Sequence, residues 1–158
     1  MKKPLHVLTL AAIIAHHGIE AAAGIGVPGE PYIGRRRATF LWTAVFAGNA
    51  YALTRKSREL GLLTAFANGA YQALALQHYI DWPWRLRKGV PIIQEAEELP
   101  ERWLPAYNTA LLVATGLSSV ACLREQGPGA RRAHLLGLVT LPWQLASARR
   151  HQQWLQAQ

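Results

Sequence analysis

The chain has 158 residues, 17 Lys and Arg against 9 Asp and Glu, a single cysteine and a mean hydropathy of only +0.03. The high apolar content, with 16% charged residues, excludes an intrinsically disordered protein, and Cys122 has no partner for an intrachain disulfide. The formal net charge of +8 does not indicate nucleic-acid binding, because the basic residues flank apolar segments, where they would meet anionic lipid headgroups.

The charged residues are distributed unevenly along the chain. All except Glu20 fall into six short clusters, and the segments between the clusters are mainly apolar. A bilayer core about 30 Å thick requires roughly 20 such residues in a helix. A soluble bundle, the main structural alternative, would carry charges every three or four residues on its outer helix faces. We therefore expect a single all-α domain, a polytopic membrane bundle of about five transmembrane helices, with spans at about 4–26, 38–54, 60–80, 103–123 and 133–148.

The first span carries the strongest functional signal. At 100° per residue, three histidines and a carboxyl group share one face of this helix, since His6, His16, His17 and Glu20 fall within an arc of about 100°. Ionisable side chains inside a membrane are costly and usually functional. We expect Glu20 to be a catalytic proton donor or acceptor, with His16 or His17 as its partner. The alternative is that Glu20 lies near the headgroups, because its position falls in the outer third of the span.

Each of the later spans carries polar side chains that would line a cavity if they faced inward. The substrate-binding candidates are Trp42, Asn49, Asn68, Tyr71, Gln72 and Gln144. For any one of these residues, a structural role in hydrogen bonding between membrane helices is the simpler interpretation. Our functional hypothesis is that Asn49, Asn68 and Tyr71 share a site with Glu20.

The connections between the spans give few functional signals. Gly24-x-Gly26-x-x-Gly29 matches a dinucleotide-binding fingerprint formally, but it follows a helix and contains Pro28, so we reject it. Residues 81–102 combine Trp, Arg and Lys with a later run of Glu, which is typical of an interfacial loop, and 91–100 could form a short amphipathic piece. The basic residues of the two sides number eight and nine, so the orientation stays undetermined. The sequence also leaves open whether the last span, 133–148, crosses fully, because Pro142 lies inside it.

A metal site is a weaker interpretation of the same residues. His16, His17 and Glu20 provide two or three ligands, whereas a catalytic metal usually takes three or four. His78 and His134 are the imidazoles in later spans, and His78 is expected at a different depth from His16. We therefore predict no metal and no other cofactor.

Two short spacings resemble known families. His16-x-x-x-Glu20 resembles the motif in the membrane helices of sterol-isomerase-like (EXPERA) proteins, which are compact helical bundles that handle sterols and related lipids. His17-x-x-Glu20 resembles part of the His-x-x-Glu-Glu signature of a family of small predicted membrane proteins, with Ala21 in place of the second Glu. Each resemblance covers two residues. The later spans also lack the further acidic residue of the sterol-isomerase-like enzymes, so membership of neither family follows.

These patterns predict a small membrane-embedded acid/base enzyme, an isomerase, cyclase or epoxide-opening hydrolase, acting on a lipophilic small molecule. We expect membrane lipid and that substrate as partners, and an integral location in the cell's inner (plasma) membrane. The alternative is a non-catalytic membrane subunit, or a binder or carrier of lipid or ions. A subunit would expose its small-residue face, such as Gly61, Ala65 and Gly69, to a partner. Transport by alternating access would require a homo-oligomer, because five spans leave little room for it.

Overall fold

The computed structural model describes residues 3–96 and 99–157, and most of this chain is helical. Residues 97 and 98, which belong to the predicted interfacial loop, lie outside the described part. The elements in chain order are α1 (Pro4–Ala22), α2 (Glu30–Ile33), α3 (Arg35–Thr54), α4 (Arg58–Asp81), β1 (Trp84–Arg87), β2 (Val90–Ile93), α5 (Leu104–Arg124), α6 (Pro128–Leu138) and α7 (Leu141–Gln156).

The helix boundaries have local causes. Pro4 and Pro128 occupy the first position of α1 and α6, where the missing N–H has no helical partner. Ser57 caps α4 by accepting a hydrogen bond from the backbone N–H of Leu60 at 3.3 Å. Gly24, after α1, has a φ of 87° that favours glycine, so the chain turns there and α1 ends at Ala22 rather than near residue 26.

The predicted span at 133–148 is divided into two helices. α6 ends at Leu138, α7 begins at Leu141, and Pro142 lies in the first turn of α7. A proline inside a helix removes a hydrogen bond and clashes with the carbonyl four residues earlier, so one straight helix cannot pass through this point. The sequence indicated that Pro142 would interrupt a continuous helix. The helical segment itself begins at Pro128, before the predicted start at residue 133.

Residues 81–102 contain a β-hairpin that the sequence interpretation did not include. β1 and β2 pair antiparallel, with Trp84 opposite Ile93 and Arg87 opposite Val90. Ile93 is fully buried, and Asn108 of α5 both accepts a hydrogen bond from its N–H at 2.8 Å and donates one to its carbonyl at 3.1 Å. The predicted amphipathic piece at 91–100 therefore begins as a strand that is attached to the start of α5.

α4 lies at the centre of the bundle and crosses α6 at very short distance. A Cβ atom at Gly69 would collide with the carbonyl of His134, and one at Gly137 would collide with the carbonyl of Phe66. Ala65 and Ala73, on the same small-residue face, are buried. The chain's own α6 thus covers this face at Gly69, whereas Gly61 is only half-buried.

Two helical segments of the described chain are long and apolar enough to cross a membrane, namely Pro4–Ala22 and Glu101–Arg124. Core helices of soluble proteins and N-terminal signal sequences share these properties, so the two segments are consistent with membrane association without establishing five spans.

Candidate functional site

Glu20 lies on the last turns of α1 and is buried among three side chains that reach its carboxylate. The Nδ1 atom of His17 lies 2.9 Å from Oε2, and the Nε2 atom of His16 lies 3.2 Å from Oε1. The hydroxyl of Tyr107, from α5, donates to Oε1 at 3.1 Å. The helical spacing of four and three residues places both imidazoles beside the carboxylate, as the sequence indicated.

His78 of α4 joins this cluster, which contradicts the expected difference in depth from His16. The two imidazole centroids are 4.9 Å apart, and His78 Nδ1 lies 3.2 Å from the hydroxyl of Tyr107. The Nζ atom of Lys3, just before α1, lies near Gly61 in the first turn of α4. α1 and α4 therefore begin at the same end of the bundle and run parallel. Along the two helices, His16 and His78 then differ by only about one helical turn, or 5 Å, which their side chains can span.

With Glu20 ionised, the hydrogen-bond pattern assigns the protons of the imidazoles. Tyr107 then donates its one hydroxyl proton to the carboxylate, and His78 Nδ1 donates to the tyrosine oxygen. His17 Nδ1 likewise donates to the Glu20 carboxylate. The Nε2 atoms of His17 and His78 then carry lone pairs, and neither atom has a hydrogen-bond partner among the described residues. Both ring nitrogens of His16 also lack a partner of good hydrogen-bond geometry there.

His16, His17, Glu20 and His78 form part of the wall of a cavity of about 560 Å³, within the range of about 300–1,000 Å³ typical of ligand pockets. The rest of the lining is mainly apolar and comes from α3, α4, α7 and the 24–32 connection. Trp42 packs against His17, with ring centroids 4.7 Å apart. The cavity therefore places a titratable cluster next to an apolar, partly aromatic surface.

Some of the substrate-binding candidates belong to this cavity. Trp42, Tyr71 and Gln144 line it directly. Asn49 lies behind Tyr71 and donates a hydrogen bond to its hydroxyl at 3.1 Å. The Gln144 side chain is oriented by its own hydrogen bond to the carbonyl of Ala70 at 3.0 Å.

Asn68 and Gln72 do not lie beside Glu20, although the sequence interpretation grouped them with it. Asn68 Nδ2 donates to the carbonyl of Ser118 at 3.1 Å and lies 3.1 Å from His134 Nδ1. Gln72 contacts His134 Nε2 at 2.9 Å and donates to Ser119 at 2.8 Å. These two residues lie on the side of α4 that faces α5 and α6, where they bind helices together. Helical periodicity shows which residues of α4 share a face, but it does not show which neighbouring helix packs against each face. It therefore could not separate Asn68 and Gln72 from the residues of α4 that meet the cavity.

His6, on the same predicted arc as Glu20, takes part in a separate cluster at the start of α1. Glu125, just after α5, lies 2.7 Å from His6 Nδ1 and accepts a hydrogen bond from the N–H of Leu5 at 2.9 Å. Burial alone would raise the pKa of the Glu125 carboxyl, but the hydrogen bonds from His6 and from the Leu5 and His6 N–H groups outweigh it and hold the pKa below its usual value. An ionised Glu125 thus caps the N-terminus of α1.

The connection between α1 and α3 covers the cavity and is attached to two other elements. Trp42 Nε1 donates to the carbonyl of Pro28 at 2.8 Å, and His151 Nε2 of α7 lies 3.1 Å from the carbonyl of Ile25. Buried Glu30 accepts from the N–H of Val27 at 2.9 Å. This cover and His151 were not among the predicted site residues, because only the folded chain brings α7 back over residue 25.

Tyr107 and His78 are the main site residues that sequence reasoning missed. His78 was named as a ligand candidate and then set aside, whereas Tyr107 gave no signal, since a tyrosine in an apolar helix is common in membrane and core helices alike. Comparisons with protein-family models, with curated proteins and with solved structures find no match to this chain.

Proposed function

We propose that the chain is a membrane-embedded enzyme that binds a small lipophilic molecule in the cavity and acts on it by acid/base chemistry at Glu20. The observation that carries this proposal is the burial of Glu20, His16, His17 and His78 in the wall of a mainly apolar cavity, with the Tyr107 hydroxyl bonded to Glu20. Buried polar clusters are costly to maintain, and they are concentrated at sites that handle protons or ligands.

The distribution of polar and apolar side chains supports a membrane location. Large apolar side chains are exposed on every long helix, for example Phe40 (76%), Leu136 (65%) and Trp143 (73%). Buried positions, in contrast, include many histidine, asparagine, glutamine and glutamate side chains. Soluble monomers rarely expose apolar surface on this scale, whereas lipid-facing helices require it.

The ends of the helices support five passes through a bilayer. Glu125, after α5, contacts the start of α1, and Lys3 approaches Gly61 near the start of α4. At the opposite end, Arg149 of α7 lies 2.8 Å from Asp81 at the end of α4. This arrangement has α1, α4 and the broken α6–α7 pair running one way and α3 and α5 the other, as alternating membrane passes would.

The rim of the cavity gives a lipophilic molecule a route from the bilayer. Leu41 of α3, Leu63 of α4 and Trp143 of α7 line the cavity and are also exposed to the surroundings of the bundle. A molecule dissolved in the hydrocarbon core would enter between these helices without crossing water, and its reacting atom would then lie beside Glu20 and the unpartnered imidazole nitrogens.

The cluster contains groups that can donate and accept protons next to the cavity. His16, His17 and Tyr107 lie within 3.2 Å of the Glu20 carboxylate, and His78 and Tyr107 form a hydrogen-bonded chain that ends on it. Double-bond isomerisation, cyclisation and epoxide opening of an apolar molecule all require such proton transfers. Trp42 and Tyr71 would position the apolar body of the substrate.

Ligand identification followed by a single substitution tests the proposal. The protein is purified in detergent, and the organic extract is analysed by mass spectrometry for a defined lipophile, which is then offered to the wild type and to Glu20→Gln. We expect the wild type to convert it, and Glu20→Gln to keep the fold and lose activity by about 100-fold or more. Glu59→Gln, the same substitution at an exposed carboxyl group outside the cavity, is the matched control and should stay active. Full activity of Glu20→Gln would contradict the proposal.

A non-catalytic binder or carrier is the second candidate, and the largely apolar cavity favours it equally. It predicts the same copurifying lipophile, recovered chemically unchanged after incubation with the wild type. Recovery of ordinary phospholipid alone would contradict the enzyme and would leave a lipid binder as the remaining candidate.

A further inference from the structure

We propose that His16, His17 and Glu20 form a binding site for a divalent first-row transition metal ion such as Zn²⁺. Each of these three buried residues offers one donor atom, and the three atoms lie within 4.8 Å of one another. The inference deepens the proposed function, since it concerns the same cluster, but it rests on donor geometry and can be tested without any turnover.

The donor atoms are close together but more widely spaced than in a formed chelate. Metal–nitrogen and metal–oxygen bonds of about 2.0–2.2 Å place neighbouring ligand atoms about 3–3.4 Å apart, whereas the three donors here lie within 4.8 Å of one another. Glu20 lies 2.9 Å from His17 Nδ1 through one carboxylate oxygen and 3.2 Å from His16 Nε2 through the other. Rotation of the side chains would bring the donors around one ion, and the proton on His17 Nδ1 would move to Nε2, so that His17 binds as a neutral ligand.

The state of the imidazoles gives an independent reason for a ligand. Neither ring nitrogen of His16 has a hydrogen-bond partner of good geometry among the described residues, although the ring is fully buried. Nε2 does lie 3.2 Å from Glu20 Oε1, but poorly aligned for a hydrogen bond, and coordination by a metal would satisfy this buried nitrogen directly. A site of two histidines and one glutamate suits Zn²⁺ and also Fe²⁺.

Three protein ligands would leave a coordination position for water or substrate, as catalytic zinc sites do. All three proposed ligands line the cavity, so this position is accessible to its contents. Tyr107 donates to Glu20 and is in turn hydrogen-bonded to His78, which makes these two residues positioning groups that orient the carboxylate. A bound ion would lower the pKa of a water molecule on it, and that water would take over the proton transfer that the proposed function assigns to Glu20 in the metal-free protein.

The experiment measures metal binding by the full chain without an affinity tag. Purified protein is stripped with a chelator, titrated with Zn²⁺ and, separately, with Co²⁺, whose visible absorption reports nitrogen and oxygen coordination. We expect a single saturable ion per chain, with His16→Ala, His17→Ala and Glu20→Gln each weakening binding by at least about tenfold. His151→Gln and His6→Gln, which alter histidines outside the cluster, should bind as the wild type does.

The outcomes separate this inference from the proposed function. Helicity and thermal stability in detergent identify variants that fail to fold, and the nearly isosteric Glu20→Gln guards against that case. If the wild type binds Zn²⁺ no more tightly than the His16→Ala/His17→Ala double variant, the metal site is wrong. The acid/base enzyme would still be supported in that case if the metal-stripped protein converts a copurifying lipophile. If the ion binds at this cluster but no lipophile is bound or converted, the metal site is supported and the enzyme proposal is wrong.

Discussion

At the scale of single residues, Tyr107 has the largest effect on how the site is understood. Its hydroxyl connects Glu20 of α1 with His78 of α4, and its ring lies 4.8 Å from that of His16. The phenol therefore converts a pair of neighbouring side chains on one helix into a cluster that three helices share. Among the described residues, the other two that reach the Glu20 carboxylate, His16 and His17, belong to its own helix.

Removing the hydroxyl tests this role. Tyr107→Phe retains the buried ring but disconnects His78 from Glu20, so we expect kcat to fall about 10- to 100-fold, the range typical of lost supporting hydrogen bonds, with little change in KM. The pH profile of kcat should also shift, because the surroundings of Glu20 change. The measurement is steady-state kinetics with the identified substrate across pH.

Tyr32→Phe is the control for that experiment. Tyr32 belongs to the cover of the same cavity and is 55% exposed, so loss of its hydroxyl should leave kcat and the pH profile near those of the wild type. Equal effects of the two substitutions would mean that Tyr107 has no special connection to the cluster.

At the scale of helices and strands, the crossing of α4 and α6 decides which face of α4 meets the cavity. Gly69 and Gly137 let the two backbones touch, and Asn68 and Gln72 strengthen the contact through His134. With this side of α4 occupied, Tyr71 and His78 are left to face α1 and α3. The helix break before Pro142 then allows α7 to return across the cavity with Gln144 and His151.

Adding one methyl group at the crossing should separate the two helices. The Cβ atom of Gly69→Ala would collide with the His134 carbonyl, a backbone atom that cannot turn aside, so we expect a loss of about 1–3 kcal/mol of stability. Thermal unfolding in detergent, followed by circular dichroism, measures the effect.

Gly116→Ala is the matched helical control on α5. A Cβ atom there meets nothing within 4 Å, so this substitution should stabilise the protein by about 0.5–1 kcal/mol, because alanine loses less backbone entropy in a helix. A Gly69→Ala protein as stable as Gly116→Ala would rule out the close crossing.

At the scale of the whole molecule, the proposed passes place the connections on defined sides of a membrane. The α3–α4 connection, with exposed Lys56, shares one end of the bundle with the start of α1, and the hairpin turn, with exposed Lys88, lies at the opposite end. The charge count of the sequence could not assign these connections to the cell interior or exterior, but the fold places the two at opposite ends of the bundle.

Site-directed labelling checks this arrangement. In a Cys122→Ala background, Lys56→Cys and Lys88→Cys are treated with a membrane-impermeant maleimide in sealed vesicles. We expect only one of the two to react before the vesicles are opened and both to react afterwards, with the protein retained in the membrane after alkaline washing. Labelling of both in sealed vesicles, or release into the wash, would contradict a membrane-spanning bundle.

The sequence by itself determined that the chain is mostly helical, where most of the helices lie, and that His16, His17 and Glu20 share one face, because hydrophobicity and helical spacing are local properties. It did not determine the break at residues 139–140 or the hairpin, which depend on turn geometry and on the attachment of Ile93 to Asn108. Only the tertiary structure decided that His78 and Tyr107 join Glu20 while Asn68 and Gln72 do not. The physical reason is that partner choice depends on how closely helices approach and how they are rotated, and these follow from contacts such as the Gly69–His134 crossing between residues far apart in the chain.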